Sequence, residues 1–348
     1  MKIMKLLLTG SNSRQCGVAR LNSKRVFDAW NLNQMLKTFA DVDFMPATNS
    51  IDYSQYDAVI VGFGAIGSST YPYLLQALYA IGKNDNCIIY LEDWKCPKSI
   101  TFGLKSTYER GYDAFVKKVF NKSWSNGVKF YKGTDGKIDP EIAWRGIEKA
   151  YTQAKSCKYL IPAFEWGDKK IVSDYLGTPR DHLLWFDETP YFIEQQDVKD
   201  MPYNPDRKHR FFYCGLSNQD TWLKKQKVME LTDCFGPSPY EKIETEAEVN
   251  QKHNEYLGIA IPEYYHAGSG WLRFRYIYGA MAKNVFMIGE KDANALGVTI
   301  VKQFDTLTDK QLEEVAMSTY NAVKKHIPTK EEACLKLKQQ FNDALNIL

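Results

Sequence analysis

Short apolar runs alternate with longer amphipathic stretches along most of the chain. The runs "KIMKLLLTG" (2–10), "VDFMPA" (42–47), "DAVIVG" (57–62), "CIIYLED" (87–93) and "KYLIPAF" (158–164) are strand-length. They are nearly continuous in their apolar residues, which is the pattern of strands buried on both faces. Between them, 23–40, 71–82, 106–120 and 140–154 repeat apolar residues at helical spacing, with Ser23 before the first and Pro72 and Pro140 in first turns. Strands alternating with helices predict a parallel sheet covered by helices on both sides.

The stretch "DVKDMPYNPDRKH" (197–209) interrupts this rhythm with prolines and charges and reads as a boundary. Beyond it the alternation restarts. Strands are expected at "RFFYCGL" (210–216), "CFG" (234–236), "LGIAIPE" (257–263) and "VFMIGE" (285–290), and helices at 221–233, 244–256 and 270–284. Two charged helices, 309–327 and 330–348, finish the chain. The expectation is an α/β protein of two Rossmann-like domains facing a central cleft. The first takes 1–200 and the second 201–325, and 326–348 is a helix that packs back on the first.

Composition narrows the class. With 348 residues there is room for two ordinary domains, and 44% hydrophobic against 25% charged residues describes a globular chain. No apolar run approaches the length of a membrane span. Seven cysteines without a C-x-x-C pair point to reduced thiols in a cytoplasmic compartment. Five histidines without H-x-x-x-H spacing, and no carboxylate cluster, leave a divalent metal open rather than required. A net charge of +3 does not by itself imply nucleic acid.

Two segments carry candidate chemistry. In "DAVIVGFGAIGSS" (57–69), a strand runs into Gly62, Gly64 and Gly67, matching the dinucleotide pattern G-x-G-x-x-G. That pattern also wants an acidic residue at the end of the next strand, about 20 residues on. Glu92 and Asp93 come later than that, and Asp85 lies in a polar turn before the strand. The glycines also fit a turn that lets a ligand or backbone approach closely. The second segment, "CIIYLEDWKCP", ends a strand in Asp93, where ligands of open α/β sheets sit. Asp93 suits a general base and equally an acidic loop cap; Glu92 alternates to the other side.

Asp93, Lys95 and Pro97 fill the Asp-x-basic-x-Pro segment of the T-even phage DNA β-glucosyltransferases, which this stretch resembles. The resemblance runs through most of the chain in order and spacing. It implies the glycosyltransferase-B arrangement and assigns Asp93 as catalytic base. It makes the glycine stretch around Gly64 a loop lining the cleft near donor and acceptor. "FFYCGL" and the following lysine-bearing helix resemble the family's diphosphate-binding loop, with Ser217, Asn218, Lys224 and Lys225 where the family has arginines. "LRFRYIYGAMAKNVFMIGE" (272–290) resembles its donor-site helix and next strand. Met281 and Ala282 match, Gly279 stands in place of a ribose-binding Glu, and Arg275 is one residue out of register. Arg273 and Arg275 lie about 200° apart on a helix, so one of them at most reaches a given phosphate pair; Arg275 is favoured. On the helix's apolar face are Phe274, Ile277 and Met281.

The implied activity is inverting transfer from a UDP-sugar to a 5-hydroxymethylated pyrimidine, foremost 5-hydroxymethylcytosine, in double-stranded DNA, by a monomer. The residues following Asp93 agree with a DNA acceptor: Trp94, Lys95, Lys98, Lys105 and Arg110 interleave cations with aromatics. Cations neutralise phosphates, and aromatics occupy the gap left by an extruded base. Lys117, Lys118 and Lys122 fit a solvated helix face. Two alternatives stand beside this one: a transferase of the same fold with a small-molecule, lipid or protein acceptor, and a nucleotide-binding oxidoreductase.

Overall fold

The computed structural model describes residues 3–10, 28–62, 71–90, 100–120, 131–137, 139–162, 170, 173–174, 177–195, 200–214, 229–235, 246–261, 274–288, 296–301 and 304–346. The first sheet contains β1 (Met4–Gly10), β2 (Ala40–Phe44), β3 (Ala58–Gly62), β4 (Cys87–Tyr90), β5 (Lys158–Pro162) and β6 (Leu183–Phe186) in the order β2-β1-β3-β4-β5-β6. The second contains β7 (Lys208–Cys214), β8 (Thr232–Phe235), β9 (Tyr256–Ile261) and β10 (Val285–Ile288) in the order β10-β9-β7-β8. Every pairing in both sheets is parallel.

Parallel strands present apolar side chains to both faces, so each sheet has two cores. On one face of the first sheet Leu7, Val59, Val61, Ile89 and Ile161 pack with α2 (Tyr71–Ala80), α3 (Ile100–Phe120) and α4 (Pro140–Ala154). Tyr108 of α3 stacks between Trp144 and Tyr151 of α4, fastening the two helices. On the other face Leu6, Leu8, Ile60, Ile88, Tyr90 and Leu160 pack with α1 (Asp28–Leu36) and with the last helix of the chain.

That last helix, α9 (Lys330–Leu345), is preceded by α5 (Thr189–Gln195), α6 (Glu246–Glu255), α7 (Phe274–Met281) and α8 (Asp309–Lys324). Thr329 and Glu332 form a capping box that starts α9. Its Ala333, Leu337, Phe341 and Ala344 are buried against the first sheet. Gln340 also treats the open edge as a strand would. Its side-chain oxygen accepts from the Trp185 N–H at 2.7 Å, and its amide donates to the Trp185 carbonyl. An edge strand covered this way offers less free backbone to other chains.

The second sheet is held at its base by buried cations. Arg207 donates to the Ala282 carbonyl at the end of α7, 2.7 Å away, where a cation complements the helix dipole. Asp200 accepts from Lys283 at 2.7 Å, from Lys324 at 3.1 Å and from the Tyr320 hydroxyl. Burial alone would raise the Asp200 carboxyl, but these three donors outweigh it and bring it down to about 2.

Several elements differ from the sequence expectation. The helix expected at 106–120 begins at Ile100 and breaks at Gly111, whose φ of 79° and ψ of 173° no helix contains. The helix expected through 233 has given way to a 3₁₀ turn by Met229, and Thr232 and Asp233 already belong to β8. The strand β6 was not expected, being only four residues long.

Phe341→Ala is expected to lower stability by about 3–5 kcal/mol, as for other large-to-small core changes, read as a fall in the urea midpoint. A second expectation concerns acid. Because the folded Asp200 carboxyl lies below its ordinary value of 3.8, its clamp is complete above about pH 4 and is lost as pH falls through about 2. The stability gap between the parent protein and Asp200→Asn, followed by thermal melts, should therefore close over that interval.

Candidate functional site at the carboxyl ends of the strands

All strands of a parallel sheet end at one edge, so the loops that follow them converge there, and ligands of open α/β sheets bind at that edge. In the first sheet the pairing sets Gly10 beside Gly62, the final residues of β1 and β3. Tyr90 ends the next strand. A Cβ at Gly62 would come within 2.5 Å of the Tyr90 Cβ and 2.8 Å of its carbonyl oxygen. The first glycine of the G-x-G-x-x-G stretch is thus demanded by packing against β4. No dinucleotide is needed to explain it.

The Tyr90 ring lies 5.8 Å from that of Phe186, the end of β6. Two carboxylates follow, which the sequence analysis had not singled out. Asp187 accepts from the Thr189 N–H at 2.9 Å, and burial pushes its carboxyl up. Glu188 is fully buried. The signal for them was available in "LLWFDET" (183–189), an apolar run ending in acids, but it required knowing that 183–186 is a strand.

The predicted site residues fall unevenly. Asp93, Trp94, Lys95 and Lys98 (segment 91–99), Gly64 (63–70), Ser217, Asn218 and Lys224 (215–228) and Arg273 (271–273) lie outside the described residues. Asp93 comes three positions after Tyr90 in the chain. Lys105 and Arg110 belong to α3, and Arg275 to α7. Lys105 pairs with Glu109 at 4.0 Å, and Arg110 is exposed. Glu109 and Asp113 are exposed on the same helix, so its basic character is diluted by acids.

The packing explains why Gly279 stands where the resembled family has a ribose-binding Glu. A Cβ at Gly279 would meet the Phe286 ring at 2.6 Å and Ile259 at 3.2 Å. Position 279 faces the core, and a ribose-binding carboxylate has no room there. Elsewhere on α7, Tyr276, Ile277, Tyr278, Ala280 and Met281 are all buried.

A cavity of about 420 Å³ opens at the opposite, amino-terminal end of β3 and β4, bordered by Asp57, Lys83 and Asp85. Asn84 and Asn86 rivet its walls to the carbonyls of Tyr53, Tyr56 and Asp57. Among the described residues no group of three or more His, Cys, Asp or Glu could hold a metal ion, and no helix is long and apolar enough to cross a membrane.

Neither a protein-family model nor a curated protein sequence matches the chain. Solved structures do. One is the DNA-modifying enzyme β-glucosyltransferase, crystallised with and without its substrate uridine diphosphoglucose. It is 12% identical, with a TM-score of 0.55 over 99% of this chain and 100% of that one. A T4 phage β-glucosyltransferase in complex with UDP and Mn²⁺ is similar at 13% identity and a TM-score of 0.56, with the same coverage. The chain shares their fold. Its architecture is therefore the glycosyltransferase-B type, with two parallel α/β sheets, as the strand pattern and the resemblance had led us to expect.

The β-glucosyltransferase fold concentrates loops at the strand ends, so the Gly62–Tyr90 contact controls how β3 and β4 present theirs. Gly62→Ala should cost about 1–3 kcal/mol by overpacking, because the collision includes backbone, and chemical denaturation would register it. An unchanged midpoint would mean that the two strands separate more easily than the packing indicates.

Proposed function

We propose that the protein is an inverting UDP-sugar-dependent glycosyltransferase whose acceptor is the hydroxyl of a 5-hydroxymethylated pyrimidine, foremost hydroxymethylcytosine, in duplex DNA. The observation that carries this reading is the likeness, end to end, to a DNA-modifying β-glucosyltransferase, together with the Asp93-x-Lys95-x-Pro97 segment directly after β4. In this scheme Asp93 takes the hydroxymethyl proton while that oxygen attacks the anomeric carbon. The bond between that carbon and the diphosphate breaks on the opposite face, and configuration inverts. Gly64, Ser217, Asn218, Lys224 and Arg275, with Arg273 as the other arginine of the segment, would hold the donor. Trp94, Lys95, Lys98, Lys105 and Arg110 would meet DNA. The neighbour crystallised with Mn²⁺ makes a divalent ion a reasonable addition to assays.

A second reading keeps the fold and the base and replaces DNA by a small-molecule, lipid or protein acceptor. The exposed acids Glu109 and Asp113 on α3 favour it, since they weaken the attraction of that helix for phosphates.

Asp93→Asn preserves shape but removes basicity, so turnover should fall by roughly 10²- to 10⁴-fold while UDP binding, read by calorimetry, persists. Transfer at the parental rate would reassign the base. For the acceptor, affinity for hydroxymethylcytosine duplex should drop steeply with added salt, and the triple charge reversal Lys95→Glu, Lys98→Glu and Lys105→Glu should abolish it. If that variant binds DNA as the parent does, or neither binds at low salt, the second reading takes precedence.

A further inference from the structure

We infer that Asn31 is a substrate-positioning residue, its side-chain amide holding a neighbouring donor–acceptor pair on one of the two substrates of the proposed transfer, a reading on which this inference rests. Because β1 and β2 are parallel, α1 must run back between them, which sets its first turns at the carboxyl edge of the sheet. Asn31 lies in those turns, one turn before Met35, on the flank of α1 that contributes Leu32, Met35 and Leu36 to the core with Leu6 and Leu8. It is 0% exposed, yet neither its amide nitrogen nor its carbonyl oxygen has a hydrogen-bond partner among the described residues.

Asn31 is not isolated in this respect. Thr9, at the end of β1, is also 0% exposed with an unpartnered hydroxyl, and the Asn33 carbonyl oxygen is unpartnered too. Of these, Thr9 directly precedes Gly10, which pairs with Gly62 at the strand ends, the edge to which α1 brings its first turns, whereas Asn33 lies about 200° around α1 from Asn31. Buried polar groups are nearly always paired, and an unpaired one is costly enough that a leucine would serve the fold better. Groups of this kind persist where a ligand completes them. An Asn amide offers donors and an acceptor side by side. It therefore matches adjacent hydroxyls of a sugar ring or the donor–acceptor edge of a pyrimidine.

The test is Asn31→Leu, read by thermal melting and by steady-state kinetics with UDP-glucose and hydroxymethylcytosine duplex. The inference expects a melting temperature equal to or above that of the parent. It also expects KM for one substrate to rise roughly three- to tenfold, the worth of one or two neutral hydrogen bonds, with kcat changed less. A rise for UDP-glucose assigns the amide to the sugar, and a rise for DNA assigns it to the base. A clear fall in melting temperature, or an unchanged KM for both substrates, overturns the inference. Asn31→Ala repeats the kinetic comparison without the bulk of leucine, so overpacking cannot imitate either result. Failure of the proposed function appears in the parent protein as no transfer, whereas failure of this inference appears only in the variants beside an active parent.

Discussion

A parallel sheet cannot leave a face to water, and the first sheet of this protein satisfies that constraint by using both ends of the chain. One face is covered locally by α2, α3 and α4, which follow the strands they pack on. Among the described residues the other face is covered by α1 and by Tyr191 of α5, and by Ala333, Leu337 and Phe341 from the final helix. Each large apolar side chain buried this way contributes about 1.5–3 kcal/mol. The amino-terminal core is therefore incomplete until the last residues have docked. Gln340 reinforces the same join by occupying the backbone groups of Trp185 on the edge strand.

Two descents of the chain touch both halves of the structure. In α5, the Tyr191 hydroxyl meets Cys334 beside the first core, while Ile193 packs on the second. At the turn from α8 to α9, Ile327 belongs to the second core and Ala333 to the first. Asp200, Lys283, Tyr320 and Lys324 tie the start of the second half to α8 near these crossings. The polar anchors Arg207 and Asp200 both grip the turn after α7.

That division suits a transferase fold. The base of each sheet is closed by satisfied hydrogen bonds, such as the pair that Asn284 makes to the carbonyls of His253 and Tyr256. The carboxyl edge instead gathers groups that stability alone does not favour: the raised Asp187 carboxyl and the amide of Asn31. Buried polar groups without protein partners, gathered at one edge, are a signature of a functional surface.

By itself the sequence determined the class of fold, because short apolar runs such as "AVIVG" and "CIIY" alternate with longer amphipathic stretches, the pattern of parallel strands buried on both faces. It located most strands and, through the Asp93 segment, the edge on which to look for chemistry. It could not show the short edge strand Leu183–Phe186, since four apolar residues carry no period. For Gly62 it left open whether a ligand or a backbone approaches, and for Gly279 it showed only a departure from the family; both are defined by a ring or backbone that another strand brings within 3 Å of the Cβ position. Only the tertiary structure could decide those cases, because the colliding partners, Tyr90 and Phe286, are set by strand and helix packing rather than by local spacing. The same holds for Asn31. Its residue type is unremarkable on an amphipathic helix, and its meaning comes from burial without a partner, a property that exists only once the chain has folded.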